Sequence, residues 1–145
     1  MLVRNVLVVC VGNICRSPVG ERLLRQMVPG LAVGSVGLGA MVGQPADALA
    51  AEVAAANGVS LEGHVARQFT QELGGAHDLL LVMEPGHKRE IARLAPHLSG
   101  RTFLLDQWNG MQGIADPYRR SCDFHEGVFQ QIRAASVAWA ERLKR

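Results

Sequence analysis

Along this chain, short uninterrupted apolar runs alternate with stretches whose apolar residues recur every three or four positions. The runs at residues 3–9, 31–36, 79–83 and 102–105 have the length and composition of strands buried on both faces, as parallel strands are. The periodic stretches at residues 18–27, 45–57 and 85–94 predict helices, each with a proline (Pro18, Pro45, Pro85) in or near its first turn. Gly58 stands where the second of these needs a residue tolerant of left-handed backbone. A shorter helical turn at residues 70–73 precedes Gly74 and Gly75. The last helix is predicted over residues 124–143, where Phe124, Val128, Ile132, Ala135, Trp139 and Leu143 draw one buried stripe. Trp139 therefore reads as core. Alternating strands and helices imply an α/β fold of three layers, a four-stranded parallel sheet with helices on both faces. Ligands of such sheets bind outside the carboxyl ends of the strands.

Composition adds limits rather than detail. A chain of 145 residues has room for one domain, spanning 1–145, with a substantial core. Its 48% hydrophobic and 19% charged residues are ordinary for a globular protein in water. A formal net charge of +2, with the basic residues scattered, argues against nucleic acid or an anionic membrane surface as partner. No run approaches the ~20 apolar residues that cross a bilayer, so no membrane insertion is expected. The odd count of 3 cysteines, with no secretory segment ahead of them, points to a reducing, cytoplasmic compartment. Nothing in the sequence calls for an obligate interface, and a monomer is expected.

The first apolar run leads directly into Cys10-Val11-Gly12-Asn13-Ile14-Cys15-Arg16-Ser17, and Pro18 opens the helix that follows. This order places a thiol at the tip of a parallel strand and an arginine at the mouth of a helix. Backbone N–H groups at such a helix start lack intrahelical partners and favour an oxyanion. Gly12 permits the tight path that lets consecutive amides face one centre. Arg16 brings a fork of donors that matches two phosphate oxygens. A thiol is a weak nucleophile, but the positive field that would bind a phosphate dianion also favours the thiolate. Cys10 is thus the candidate nucleophile, with residues 11–17 as its phosphate cradle. Taken alone, Cys10 would read as a buried strand cysteine; strand, loop, arginine and helix in this order favour the catalytic reading. Ser17 has two readings, as helix N-cap before Pro18 and as hydrogen-bond donor to the sulfur.

A thiolate attacking a phosphate ester needs an acid for the departing oxygen. Asp116 is the candidate, in an aperiodic loop at residues 106–121 that follows the fourth strand and so reaches the edge holding the cysteine loop. Pro117 stiffens the backbone after it and holds Asp116 extended. The plainer reading is that Asp-Pro only starts a turn.

These residues resemble the low-molecular-weight protein tyrosine phosphatases. The string from Val9 to Pro18 matches that family's signature, and Asp116-Pro117-Tyr118 matches its acid loop. The likeness extends through Ser35-Val36-Gly37-Leu38-Gly39-Ala40 and Glu62-Gly63-His64-Val65-Ala66-Arg67-Gln68, covering essentially the whole chain. It is nearest to the bacterial branch paired with tyrosine autokinases of capsule and exopolysaccharide export. The resemblance implies the phosphotyrosine protein phosphatase I-like fold and a two-step hydrolysis of phosphotyrosine proteins, with no metal and no cofactor. In it Cys10 forms a phosphocysteine, Arg16 holds the phosphoryl oxygens, and Asp116 acts first as acid and then as base. It implies that Asn13 fixes the loop's shape, supported by Ser17, Ser35 and His64, and that Tyr118 and Leu38 form opposite walls of the substrate cleft. For His64 a surface histidine in a turn remains open, as does a plain loop anchor for Leu38. The partner implied is a phosphotyrosine protein, a polysaccharide-export tyrosine kinase. Relatives with the Cys10–Cys15 pair form a reversible disulfide; a cysteine packed in the loop is the alternative for Cys15.

Departures from the family pattern are few. Gly20 stands where alanine is usual, at about 1 kcal/mol of helix propensity, and Val36 replaces a common alanine. Cys122 matches no catalytic position. His77, His87, His97 and His125 have no ligand-like spacing with the cysteines and carry no metal expectation. The same scaffold also serves arsenate reductases, but their thiol relay needs further cysteines near the third strand, and residues 79–93 contain none. A non-enzymatic phosphotyrosine-binding module would be expected to lack Cys10 or Asp116.

Overall fold

The computed structural model describes residues 2–144. Four strands, β1 (Asn5–Cys10), β2 (Ala32–Gly37), β3 (Leu79–Val82) and β4 (Thr102–Leu104), form one parallel sheet in the order β2-β1-β3-β4. The chain leaves β1 towards β2 on one side and returns to β3 on the other. The carboxyl ends of β1 and β3 therefore border the point where the strand order reverses, the ligand crevice of such sheets.

Alternation along the strands divides the core into two halves. Val6, Val8 and Cys10 pack with α1 (Arg16–Met27), α2 (Ala48–Ala56) and α5 (Cys122–Leu143). Leu7, Val9, Leu80 and Val82 pack beneath α4 (Pro85–Leu94) with Phe69 and Leu98. Trp139 is buried as its stripe position predicts, its indole N–H donating to the Leu104 carbonyl and its ring edge-on to Phe103 and Trp108. Among the described residues no helix is long and apolar enough to cross a membrane.

Several helix starts differ from the sequence expectation, each for a capping reason. α2 begins at Ala48 rather than near Pro45, because the Asp47 carboxylate accepts from the Ala50 N–H. α5 begins at Cys122 rather than Phe124, because the Ser121 hydroxyl accepts from the Phe124 N–H. The turn before Gly74 is a helix, α3 (Gln71–Gly75), capped by Thr70. A 3₁₀ segment over Pro96–Arg101, not foreseen, leads into β4. The N-cap of α1 is Cys15, without a side-chain bond, so the capping reading of Ser17 is incorrect. Ser17 lies inside the first turn, its hydroxyl turned to Cys10 and Asn13. Gly20 packs with its Cα side against β1, where an added Cβ would stand 3.2 Å from Val8 Cγ1.

Candidate active site

The loop between β1 and α1 is held by its carbonyls. Those of Cys10, Val11, Gly12 and Ile14 accept from the N–H groups of Leu38, Gly39, Met41 and Asp47, and the Asn13 carbonyl lies 2.6 Å from His64 Nε2. In a planar trans peptide the carbonyl and the next N–H point in opposite directions. Anchoring these carbonyls to residues 38–47 and His64 therefore turns the N–H groups of residues 11–15 to the opposite side. Among the described residues, no N–H from Val11 to Ser17 is donated to a protein acceptor. Of these residues Val11, Gly12, Ile14, Cys15 and Arg16 line a cavity of about 210 Å³ together with Cys10, Gly39, Met41, Asp116 and Tyr118. A ring of unspent donors around a thiol is an oxyanion nest.

Asn13 is the pivot of this loop. Its φ of 58° lies in the left-handed region, and its side chain is wholly buried. Nδ2 donates to Ser17 Oγ (2.7 Å) and Ser35 Oγ (3.0 Å), while Oδ1 accepts from the Arg67 N–H (2.9 Å). Ser35 donates to the buried Glu21 carboxylate, which Arg22 and Arg25 neutralise. Since Asn13 occupies an acceptor site on Ser17, that hydroxyl's proton is left for Cys10 Sγ, 2.9 Å away. The polarity of the whole network runs toward placing a donor on the sulfur. Cys15 contrasts with this. Burial, then the charges of Asp47, Asp116 and Cys10, push its thiol far above the ordinary range, so it stays protonated.

Arg16 is 1% exposed. Its Nη1 donates to Glu84 Oε2 (2.5 Å) and to the Ile114 carbonyl (2.7 Å), and Nη2 lies 3.8 Å from Asp116 Oδ2. Asp116 remains half-exposed at the cavity mouth, with Oδ1 accepting from the Tyr118 N–H. Tyr118 packs on the small cluster of Ile14, Cys15, Ala50 and Ala66 and forms one wall. Gly39 and Met41 also line the cavity. Leu38, half-buried, packs against the α4-side core. The structure thus brings together Cys10, residues 11–17, Ser35, His64, Asp116 and Tyr118.

The sequence reading missed Glu84, the carboxylate that grips Arg16, and Met41 on the cleft wall. Glu84 directly follows the third apolar run, and a polar residue at the carboxyl end of a strand beside the switch point is a usable signal. Cys10 and Cys15 both line the cavity and both are free; Cys122 is exposed. Among the described residues no cluster of His, Cys, Asp and Glu is arranged to hold a metal.

An open parallel sheet with a thiol-centred anion nest in its first strand-to-helix loop defines a class, the α/β enzymes that handle phosphate esters through that loop. The family model described as "Low molecular weight phosphotyrosine protein phosphatase" matches residues 5–145. The low molecular weight protein-tyrosine-phosphatase Etp of Escherichia coli K12 is 50% identical over 141 residues, 97% of this chain and 95% of its own. The crystal structure of the tyrosine phosphatase Wzb from Escherichia coli K30 in complex with sulphate superposes with a TM-score of 0.96 at 46% identity, covering 98% of this chain and 99% of that one. The YwlE arginine phosphatase from Geobacillus stearothermophilus shares the fold with a TM-score of 0.89 at 32% identity, covering 96% and 92%. The chain belongs to the low molecular weight protein-tyrosine-phosphatase family and is an enzyme of that kind.

Proposed function

We propose that the chain hydrolyses phosphotyrosine in proteins through a phosphocysteine on Cys10. The observation that carries this reading is the nest of undonated N–H groups around Cys10 Sγ, with Arg16 at its edge and Asp116 at its mouth. The phosphoryl oxygens take the loop N–H groups and Arg16 as donors, and these contacts strengthen as charge builds on the oxygens in the transition state. Cys10 sulfur attacks phosphorus, the phosphorus–oxygen bond to tyrosine breaks, and the Asp116 carboxyl gives its proton to the departing oxygen. Asp116, now a carboxylate, takes a proton from water as that water attacks phosphorus. The sulfur–phosphorus bond then breaks, and the Ser17 hydroxyl stabilises the departing thiolate. Tyr118 and Met41 flank the ring of the substrate.

The physiological substrate proposed is a tyrosine kinase of polysaccharide export, met in the cytoplasm by a monomeric enzyme that needs no cofactor or metal. Its support is the resemblance to the bacterial branch paired with such kinases. The Cys10–Cys15 pair is proposed as a reversible disulfide that shields the nucleophile. Because Cys15 is held as a thiol, oxidation would begin at Cys10.

Hydrolysis of p-nitrophenyl phosphate and of a phosphotyrosine peptide in the presence of a chelator tests the reading. Activity should vanish in Cys10→Ser and fall strongly in Arg16→Ala and Asp116→Ala. Retained activity in Cys10→Ser would refute it. Preference for a phosphoarginine protein over the phosphotyrosine peptide would move the substrate to that of the YwlE neighbour, and thioredoxin-coupled arsenate reduction without ester hydrolysis would replace the reaction.

A further inference from the structure

The mechanism above leaves the buried His87 beside the site unused. His87 lies one turn after Glu84 on α4, with its side chain 10% exposed. Its Nε2 stands 3.5 Å from Glu84 Oε2, the same oxygen that accepts from Arg16 Nη1. Its Nδ1 is buried with no hydrogen-bond partner. We propose that His87 is a positioning residue for catalysis: neutral, it keeps the Glu84 carboxylate turned to Arg16, and protonated, it draws that carboxylate off the phosphate-gripping guanidinium. The proposal rests on the phosphate-binding role given to Arg16 above.

Geometry fixes the charge state at neutral pH. In the neutral ring with the proton on Nε2, a donor faces the carboxylate and only a lone pair is left unpartnered at Nδ1. Protonation would put a second donor at Nδ1, where nothing accepts it, and a buried unmet donor is costly. The charged groups facing the ring are Arg16 from α1, Glu84 at the N-cap of its own helix and Asp116 from the acid loop. Burial first, and the Arg16 charge second, hold the imidazole below its ordinary range, against the opposing pull of Glu84 and Asp116. The protonated state is therefore reached only below the ordinary imidazole range. There the imidazolium and Arg16 compete for one oxygen, and Arg16 loses the contact that aims it.

Kinetics at neutral pH give the first readout. His87→Leu fills the space without a polar group and should lower kcat/KM for p-nitrophenyl phosphate by about threefold, the scale of a weak polar contact at 3.5 Å. His87→Gln, which places an amide N–H near the position of Nε2, should restore most of that loss. The second readout isolates the anion grip. Sulfate stays a dianion between pH 5 and 7.5, and in a Cys10→Ser background no thiol titrates beneath it. Calorimetric sulfate binding should weaken towards pH 5 with His87 present and stay flat with His87→Gln. If His87→Gln keeps the full pH dependence, or if binding tightens at pH 5 because the imidazolium merely adds positive charge, the proposal falls alone. If sulfate does not bind at any pH, the phosphate-site reading falls and takes the proposal with it. Should His87→Leu fail to fold, the Gln variant still decides.

Discussion

Replacing Asn13 by alanine probes how the cradle is held. The amide donates to Ser17 and Ser35 and accepts from the Arg67 N–H, all in a fully buried position. Loss of these contacts at about 1 kcal/mol each comes to about 3 kcal/mol. Alanine held at the Asn13 φ of 58° adds about 1 kcal/mol of backbone strain. The total, about 4 kcal/mol, is a large share of the 5–15 kcal/mol that stabilises a domain (roughly, for any protein of this size). Asn13→Gly loses the same bonds but is at ease in left-handed backbone, so it should recover about 1 kcal/mol relative to alanine. Urea unfolding followed by tryptophan fluorescence measures both. Activity should fall further than stability implies, since Ser17 is no longer oriented to give its proton to Cys10; loss of one such donor is worth about a hundredfold in kcat. An alanine variant within 1 kcal/mol of wild type (against the ~3 expected from its bonds alone), or a glycine variant no better than alanine, would refute the reasoning.

Other substitutions test separate links. Gly37→Ala would put a Cβ 2.2 Å from the Val11 carbonyl oxygen, so the loop must shift, and kcat/KM should drop at least as far as stability by urea titration. Glu84→Gln removes the charge facing Arg16 and should lower kcat/KM by about tenfold or more, mainly through KM, with little change in melting temperature because Glu84 is half-exposed. Gly20→Ala gains about 1 kcal/mol of helix propensity but presses on Val8, so its net change in urea midpoint should be small. The raised Cys15 thiol gives a pH test with a definite sign. Folding favours its protonated form, so that stability is full below the ordinary thiol value of about 8.5 and is lost as pH rises above it. Cys15→Ala should lose less stability than wild type between pH 8 and 10; an identical loss would remove Cys15 as the cause.

The parts legible in the sequence are those governed by local pattern. Buried parallel strands appear as plain apolar runs, which is why β3 and β4 fall within one residue of their expected ends. The stripe from Phe124 to Leu143 located α5, and Pro85 located the start of α4. Helix starts went astray where a capping side chain outranked a proline, as at Asp47. The cysteine loop was legible because nucleophile, glycine and arginine lie within eight positions of one another. Its supports were not. Arg16 meets Glu84 across 68 positions, and only the placing of β3 beside β1 brings them together. Met41 comes to the cavity through the turn of the backbone after β2. No periodicity encodes that turn.

Everything in the mechanism depends on a covalent bond between Cys10 and phosphorus. Rapid acid quenching during turnover of p-nitrophenyl phosphate, followed by peptide mass spectrometry, looks for it directly. A phosphoryl group on Cys10, formed and lost fast enough to account for turnover, is the result expected. Turnover with that cysteine unmodified throughout, or with the phosphoryl group on another side chain, would contradict it.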